Sequence, residues 1–419
     1  MSLFRPFVVS VSIAVVAGCA DQGPTGPIAH LPRNLTASET NLVAANNEFA
    51  FRLFREVARQ QSPDSNLFIS PLSVSMALGM TYNGAAGTTA QAMDTTLGFG
   101  GMTLDEINQS YRGVIGLLRG LDPRVDFTLA NSIWYRQGVS FEPAFFDVTH
   151  TYFDAQVAGL DFSAPSAPQT INDWVNAQTH GKIPEIVASP IPDNMVMYLI
   201  NAVYFKGDWV VQFDKSRTTS APFTLVDGST ASVPTMSFAD LAPVQVGYVG
   251  GVQLLDLRYG GGAYSMTIAM PENPAAMDTL VSGLTRQRWD AWVAAFESVA
   301  RQVAMPKFTL THGLRMNDVL SALGMGVAFI PCDGRAPDCA DLTRMRSVRD
   351  LYISEVLHKT YVDVNEEGTE AAGGTEVGIA LLSNSSPWFV VDRPFLFAIR
   401  ERFSGTILFL GRIMNPAAT

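Results

Sequence analysis

Hydrophobic residues recur along this chain with two different periods, and the periods divide it into helices and strands. Leu42, Ala45, Phe49 and Phe54 share one face of a helical repeat. Just before them, Thr36-Ala-Ser-Glu39 has the Thr/Glu spacing that caps a helix start reciprocally. A helix is therefore predicted from that cap through Gln61. Ser70-Pro71 predicts a second helix, with proline in its first turn. Residues 169–181 and 279–296 also read as helices, the former ending at a glycine stop. Residues 126–135, 195–205, 303–310 and 351–364 read as strands. Residues 244–270 alternate strand-like segments with glycine turns, and 390–400 and 406–412 form a terminal pair around Ser404-Gly405. The two kinds of element are interspersed without a βαβ beat or a tandem repeat. That mixture predicts an α+β protein.

The amino terminus is patterned differently. Arg5 precedes an apolar run over residues 7–17, broken only by Ser10 and Ser12. The run is too short to span a membrane, which takes about 20 apolar residues, and it fits a secretory h-region. It ends Val16-Ala17-Gly18-Cys19, which resembles a bacterial lipobox and implies cleavage of residues 1–18 and lipidation of Cys19. An ordinary signal peptide with an incidental cysteine is the alternative. Residues 19–36, rich in Gly and Pro, read as the lipidated Cys and a flexible tether ahead of a domain at 37–419. The chain is thus expected to be exported. It would be anchored to the envelope (outer membrane or cell surface) or extracellular, meeting a membrane only through the lipid. Export favours a local disulfide between Cys332 and Cys339, which are separated by turn formers. No His lies between them, so a metal site is not expected there or elsewhere.

Composition narrows the functional classes. The chain has 419 residues, 47% hydrophobic and 16% charged, enough for a large core. A net charge of -11 argues against nucleic-acid binding, which needs clustered Lys and Arg. The sequence holds no G-x-S-x-G, H-E-x-x-H, Walker A or strand-borne G-x-G-x-x-G motif, and its five His lack metal-ligand spacing. No enzyme activity and no cofactor are expected. Gly98-Phe-Gly-Gly101 reads as a turn rather than a phosphate loop.

One segment resists an ordinary reading. Residues 366–388 form a long stretch of small residues between two strands, and loops of that length are often functional. Every second residue from Thr369 is small or apolar: Thr369, Ala371, Gly373, Thr375, Val377, Ile379. The other parity, Glu370, Ala372, Gly374, Glu376 and Gly378, holds every charge. A period of two marks a half-buried strand. The segment is placed as a loop yet patterned as a strand, and the pattern fixes the register, because a one-residue slip would bury both glutamates.

Several motifs, in order along the chain, resemble the serpin family. They include Asn66-Leu-Phe-Ile-Ser-Pro-Leu-Ser73, Gly84-Ala-Ala-Gly-Thr-Thr89 and Ile171-Asn-Asp-Trp174. Asn201-Ala-Val-Tyr-Phe-Lys-Gly-Asp-Trp209, Met305-Pro-Lys-Phe308, His358-Lys359, Asn365-Glu-Glu-Gly-Thr369 and Arg393-Pro-Phe-Leu-Phe397 continue the set. The resemblance runs from about Asn41 to Pro416. It implies three β-sheets, eight or nine helices and an exposed reactive loop over about 366–390. It implies a monomeric suicide inhibitor whose partner is a serine protease of chymotrypsin, elastase or subtilisin type. A non-inhibitory serpin-fold carrier or binding protein is the alternative.

The resemblance also assigns residues. Glu366, Glu367, Gly368, Thr369, Glu370, Ala371, Ala372, Gly373 and Gly374 correspond to the hinge that must join a closing sheet. Counting along the loop from Glu366 puts the reactive bond between Leu382 and Ser383, with Leu381-Leu382 as the neighbouring register. Leucine suits the apolar slot of a chymotrypsin-like protease. Ser70, Ser73, Asn201 and His358 correspond to the shutter, a polar cluster beneath the opening strands. Trp209 and Lys307 correspond to the breach where insertion starts, with a Lys307–Glu366 ion pair expected. Gly373-Gly374 and Glu376 depart from the family's Ala-rich hinge and leave insertion rate and target preference open.

Overall fold

A computed structural model describes residues 26–333, 338–369 and 387–418. Cys19, Glu370, Ala371, Ala372, Gly373, Gly374, Leu382 and Ser383 lie outside the described residues.

The first helix, Ala37–Gln60, begins at the reciprocal cap read from the sequence. Glu39 N–H donates to Thr36 Oγ1, and Thr36 N–H donates to Glu39. Arg33 then pairs with the same carboxylate at 2.7 Å. The helix Pro71–Tyr82 starts at Ser70, whose Oγ accepts from Ser73 N–H. Almost every side chain of this helix is buried, because it passes through the middle of the core and touches the strand Met197–Asp208. Nine α-helices occur among the described residues.

Two sheets, rather than the expected three, are defined by backbone pairing. One has six strands in the order Phe308–Arg315, Leu357–Val364, Gly368–Thr369, Met197–Asp208, Val125–Arg136, Ala155–Leu160. The other has ten and includes the terminal pair Phe395–Glu401 and Ile407–Ile413. The third sheet is fused into this larger one by a single strand, Glu297–Pro306. Its first half pairs with Ala242–Val249, and its second half pairs with Thr230–Ser237 and, in parallel, with Trp388–Val390. The expected sheet survives as a four-stranded lobe, completed by Thr219–Thr224.

Four local readings are corrected. The helix expected over 279–296 is two, Met277–Ser282 and Arg286–Ala294, split at Gly283, where Thr285 caps the second. The strand expected over 303–310 divides at Lys307: its N–H still donates to Pro234 O, continuing the pairing of Pro306 with Thr235, and from Phe308 the chain pairs with Leu357–Val364 instead. Pairing expected from Leu351 begins only at Leu357. Residues 26–36, expected as a flexible tether, lie against the body. Ile28 and Leu35 pack on the core, and Ile28 N–H donates to Gly261 O at 2.7 Å. Two apolar side chains in a Pro-rich stretch are enough to dock it. Cys332 and Cys339 are joined, with Cα atoms 5.1 Å apart. Gly98 ends a helix in the left-handed region, and Gly100 and Gly101 continue as a turn with positive φ.

The six-stranded sheet separates two cores. The larger contains the helix Pro71–Tyr82 and the ten-stranded sheet. The smaller packs Ile171 and Val175 of the crossing helix Ala167–Gln178 against Trp134, Tyr198 and Ile200.

Candidate functional site

The site is a gap in the six-stranded sheet. Its central position between Leu357–Val364 and Met197–Asp208 is held by two residues, Gly368 and Thr369. Thr369 pairs with Val364 on one side and Gly207 on the other, and Gly368 pairs with Asp208. Beyond Thr369 the described residues show no ladder between the two long strands. A cleft of about 130 Å³ separates residues 194–201 from 350–358, bordered by Ser73, Ala77 and Leu78 of the buried helix. The loop therefore already begins as a strand, at one end of a slot in which no further described residue pairs with either long strand.

The seat admits almost nothing else. A Cβ on Gly368 would stand 2.2 Å from Gly207 O and 2.6 Å from Asp208 Cα. Both are backbone atoms, so no side-chain rotation relieves the clash. Thr369 is 3% exposed, and its hydroxyl lies 2.9 Å from the Tyr259 hydroxyl. This fixes which parity of the loop faces inward. Tyr259 stacks on Trp209 with centroids 4.3 Å apart.

Backbone and charge hold the turn before the seat. Trp209 Nε1–H donates to Asn365 O and Trp209 N–H to Glu367 O, both at 2.9 Å. Phe213 N–H donates to Glu366 O. The buried Glu366 carboxylate accepts from Thr218 Oγ1 at 2.6 Å and lies 2.8 Å from Lys307 Nζ. Burial pushes this carboxyl's pKa up, but the bonds from Lys307 and Thr218 together outweigh it and leave it below its usual range. Glu367 pairs with the more exposed Lys215. Trp209, Lys307 and Glu366 thus meet around one turn, and the expected Lys307–Glu366 ion pair is formed.

The shutter residues lie farther down the slot and form one chain of contacts. Ser70 N–H donates to His358 Nε2 at 3.0 Å, and Ser70 Oγ donates to Leu408 O at 2.8 Å. Ser73 Oγ donates to Asn201 O at 3.2 Å, and Asn201 Nδ2 donates to Asn131 Oδ1 at 2.6 Å. The cluster spans the gap, since Asn201 is on one long strand and His358 on the other. Burial and then the nearby His312 push the His358 pKa down to about 3. A depressed histidine pKa means that the unfolded chain takes up the proton first. The stability tied to neutral His358 is complete above about pH 6.5 and falls as pH drops toward 3. The buried Asn201 Oδ1 and His312 Nε2 have no hydrogen-bond partner among the described residues. A partly satisfied buried network can exchange one set of bonds for another.

Tyr259, Thr218, Lys215, Asn131 and His312 belong to this site but carried no role in the sequence reading. Tyr259 meets Thr369 across 110 residues and Thr218 meets Glu366 across 148. No local period encodes such contacts.

The family model described as "Serpin (serine protease inhibitor)" matches residues 44–416. Leukocyte elastase inhibitor of Homo sapiens is 35% identical over 388 residues, covering 90% of this chain and 99% of that protein. Among solved structures, the thermophilic serpin tengpin in its native state superposes with a TM-score of 0.79. It is 28% identical, over 93% of this chain and 97% of that one. Human thyroxine-binding globulin bound to its hormone superposes at 0.80, with 27% identity over 91% and 100%. The chain belongs to the serpin family of serine protease inhibitors.

Proposed function

We propose that this chain is a suicide inhibitor of serine endopeptidases of chymotrypsin-like preference, held at the cell envelope by lipid on Cys19. The protease serine attacks the Leu382 carbonyl carbon, and the Ser383 nitrogen leaves as an amine carrying the proton relayed by the protease histidine. The acyl-enzyme ester so formed still awaits water. The freed end of the loop then zips into the slot, carrying the protease with it.

The observation that supports this reading is the seat itself. Gly368 and Thr369 already occupy the central strand position, with the slot continuing beyond them. The step left is propagation rather than nucleation. Residues continuing with the parity of Thr369 are small or apolar, so they meet the core without a buried charge.

Heat stability separates the two readings. Nicking the loop of an inhibitor lets a new central strand form, adding ladder bonds at about 1 kcal/mol each. Limited cleavage in the loop should raise the unfolding midpoint by about 10 °C or more. An unchanged or lowered midpoint would favour the carrier.

A further inference from the structure

The reactive loop rejoins the described chain at Pro387, and the strand it rejoins presents an aromatic knob. Trp388 and Val390 are 41% and 40% exposed, while Phe389 between them is buried. The strand is fixed by Gln302 N–H donating to Pro387 O at 2.7 Å and Val391 N–H donating to Ala304 O at 2.8 Å. The paired runs of the four-stranded lobe around it carry no charge, with Arg301 and Lys307 standing at the two ends of the run Gln302–Pro306. Thr219–Thr224, Thr230–Ser237, Trp388–Val390 and the paired run Gln302–Pro306 contain no Asp, Glu, Lys or Arg. That is unusual in a chain of net charge -11. A half-exposed tryptophan on a neutral sheet has the composition of an interface anchor, where aromatic residues are enriched and charges depleted.

We propose that Trp388 and Val390 form a secondary docking surface for the target protease, on the C-terminal side of the reactive bond. The inference rests on the inhibitor reading, and chain length selects the occupant. Trp388 lies five residues after Ser383, which spans about 18 Å at full extension. A protease of about 240 residues has a radius of gyration of about 18 Å. One seated on the Leu382–Ser383 bond therefore reaches this face. Stable protease complexes bury about 800 Å² on each partner, more than a few loop residues supply. Part of the contact must then come from the body, and along the chain this strand is the first described element after the bond on that side. The surface sets the strength of the encounter and leaves the later insertion untouched.

Binding to chymotrypsin whose catalytic serine is replaced by alanine reads the encounter alone, and trapping by active chymotrypsin reads the whole reaction. Trp388→Ser and Val390→Thr should each weaken binding to the inert protease, about tenfold or more for the tryptophan. Trp388→Phe should recover most of it. The number of inhibitor molecules used per protease trapped should stay at the wild-type value in all three variants. Wild-type trapping with encounter affinities within twofold of wild type would overturn the proposal. Concentration-dependent dimerisation lost in Trp388→Ser, with protease binding unchanged, would overturn it too and assign the face to a second copy. A wild-type protein that traps neither chymotrypsin, elastase nor subtilisin fails the inhibitor reading first and takes this surface with it.

Discussion

Replacing Gly368 by alanine turns the protein from an inhibitor into a substrate. The new Cβ would lie 2.2 Å from a carbonyl oxygen of the neighbouring strand, and the atoms it meets are backbone. The local sheet must spread or the two-residue seat must leave it. Overpacking of this kind costs about 1–3 kcal/mol, roughly a factor of 5 to 150 in the seated population. Seating precedes insertion, so the loss falls on trapping and not on cleavage. The Gly368→Ala variant should be cut by chymotrypsin at the wild-type rate, with the covalent fraction down at least about fivefold. Densitometry of a denaturing gel measures both quantities. Wild-type covalent yield would show that the seat is not a step on the route.

A carboxylate at position 371 should abolish trapping, and one at 372 should not. Thr369 is buried against Tyr259, and side chains alternate along a strand. Continued from that phase, insertion directs position 371 into the core and 372 toward the opposite face. An unpaired buried charge costs several kcal/mol, which at about 3 kcal/mol is more than a hundredfold. Ala371→Glu should be cleaved without trapping, while Ala372→Glu keeps most of its activity. Comparison within the pair removes general effects of charge on protease binding, since both variants add one negative charge at neighbouring positions. Equal losses in both would contradict the assigned phase.

What was legible in the sequence and what was not follow from the range of the interactions. Thr36 with Glu39 and Ser70 with Pro71 are local signals, and the structure forms both helix starts from them. The alternation after Thr369 is local as well. Its phase was open to statement from sequence, and the buried Thr369 side chain supplies the anchor. Lys307 was read inside one continuous strand because its neighbours are apolar on both sides. Only the long-range pairing shows the change of partner, from Thr235 opposite Pro306 to Val364 opposite Phe308. Residues 351–356 have strand composition but run along the cleft, where no strand among the described residues pairs with them. The demand for glycine at 368 is also set by tertiary structure. It arises from the approach of Gly207 and Asp208, more than 150 residues earlier in the chain. The fused sheets have the same origin, in one strand serving two sets of neighbours.

A protease that cuts this loop should be caught before it can finish. The decisive measurement mixes a form beginning at Ala20 with chymotrypsin and resolves the products by denaturing gel and mass spectrometry. Trapping should give a band at the summed mass that survives detergent, together with a released peptide beginning at Ser383. Complete cleavage at that bond by chymotrypsin, elastase and subtilisin, with no covalent band from any of them, would rule trapping out.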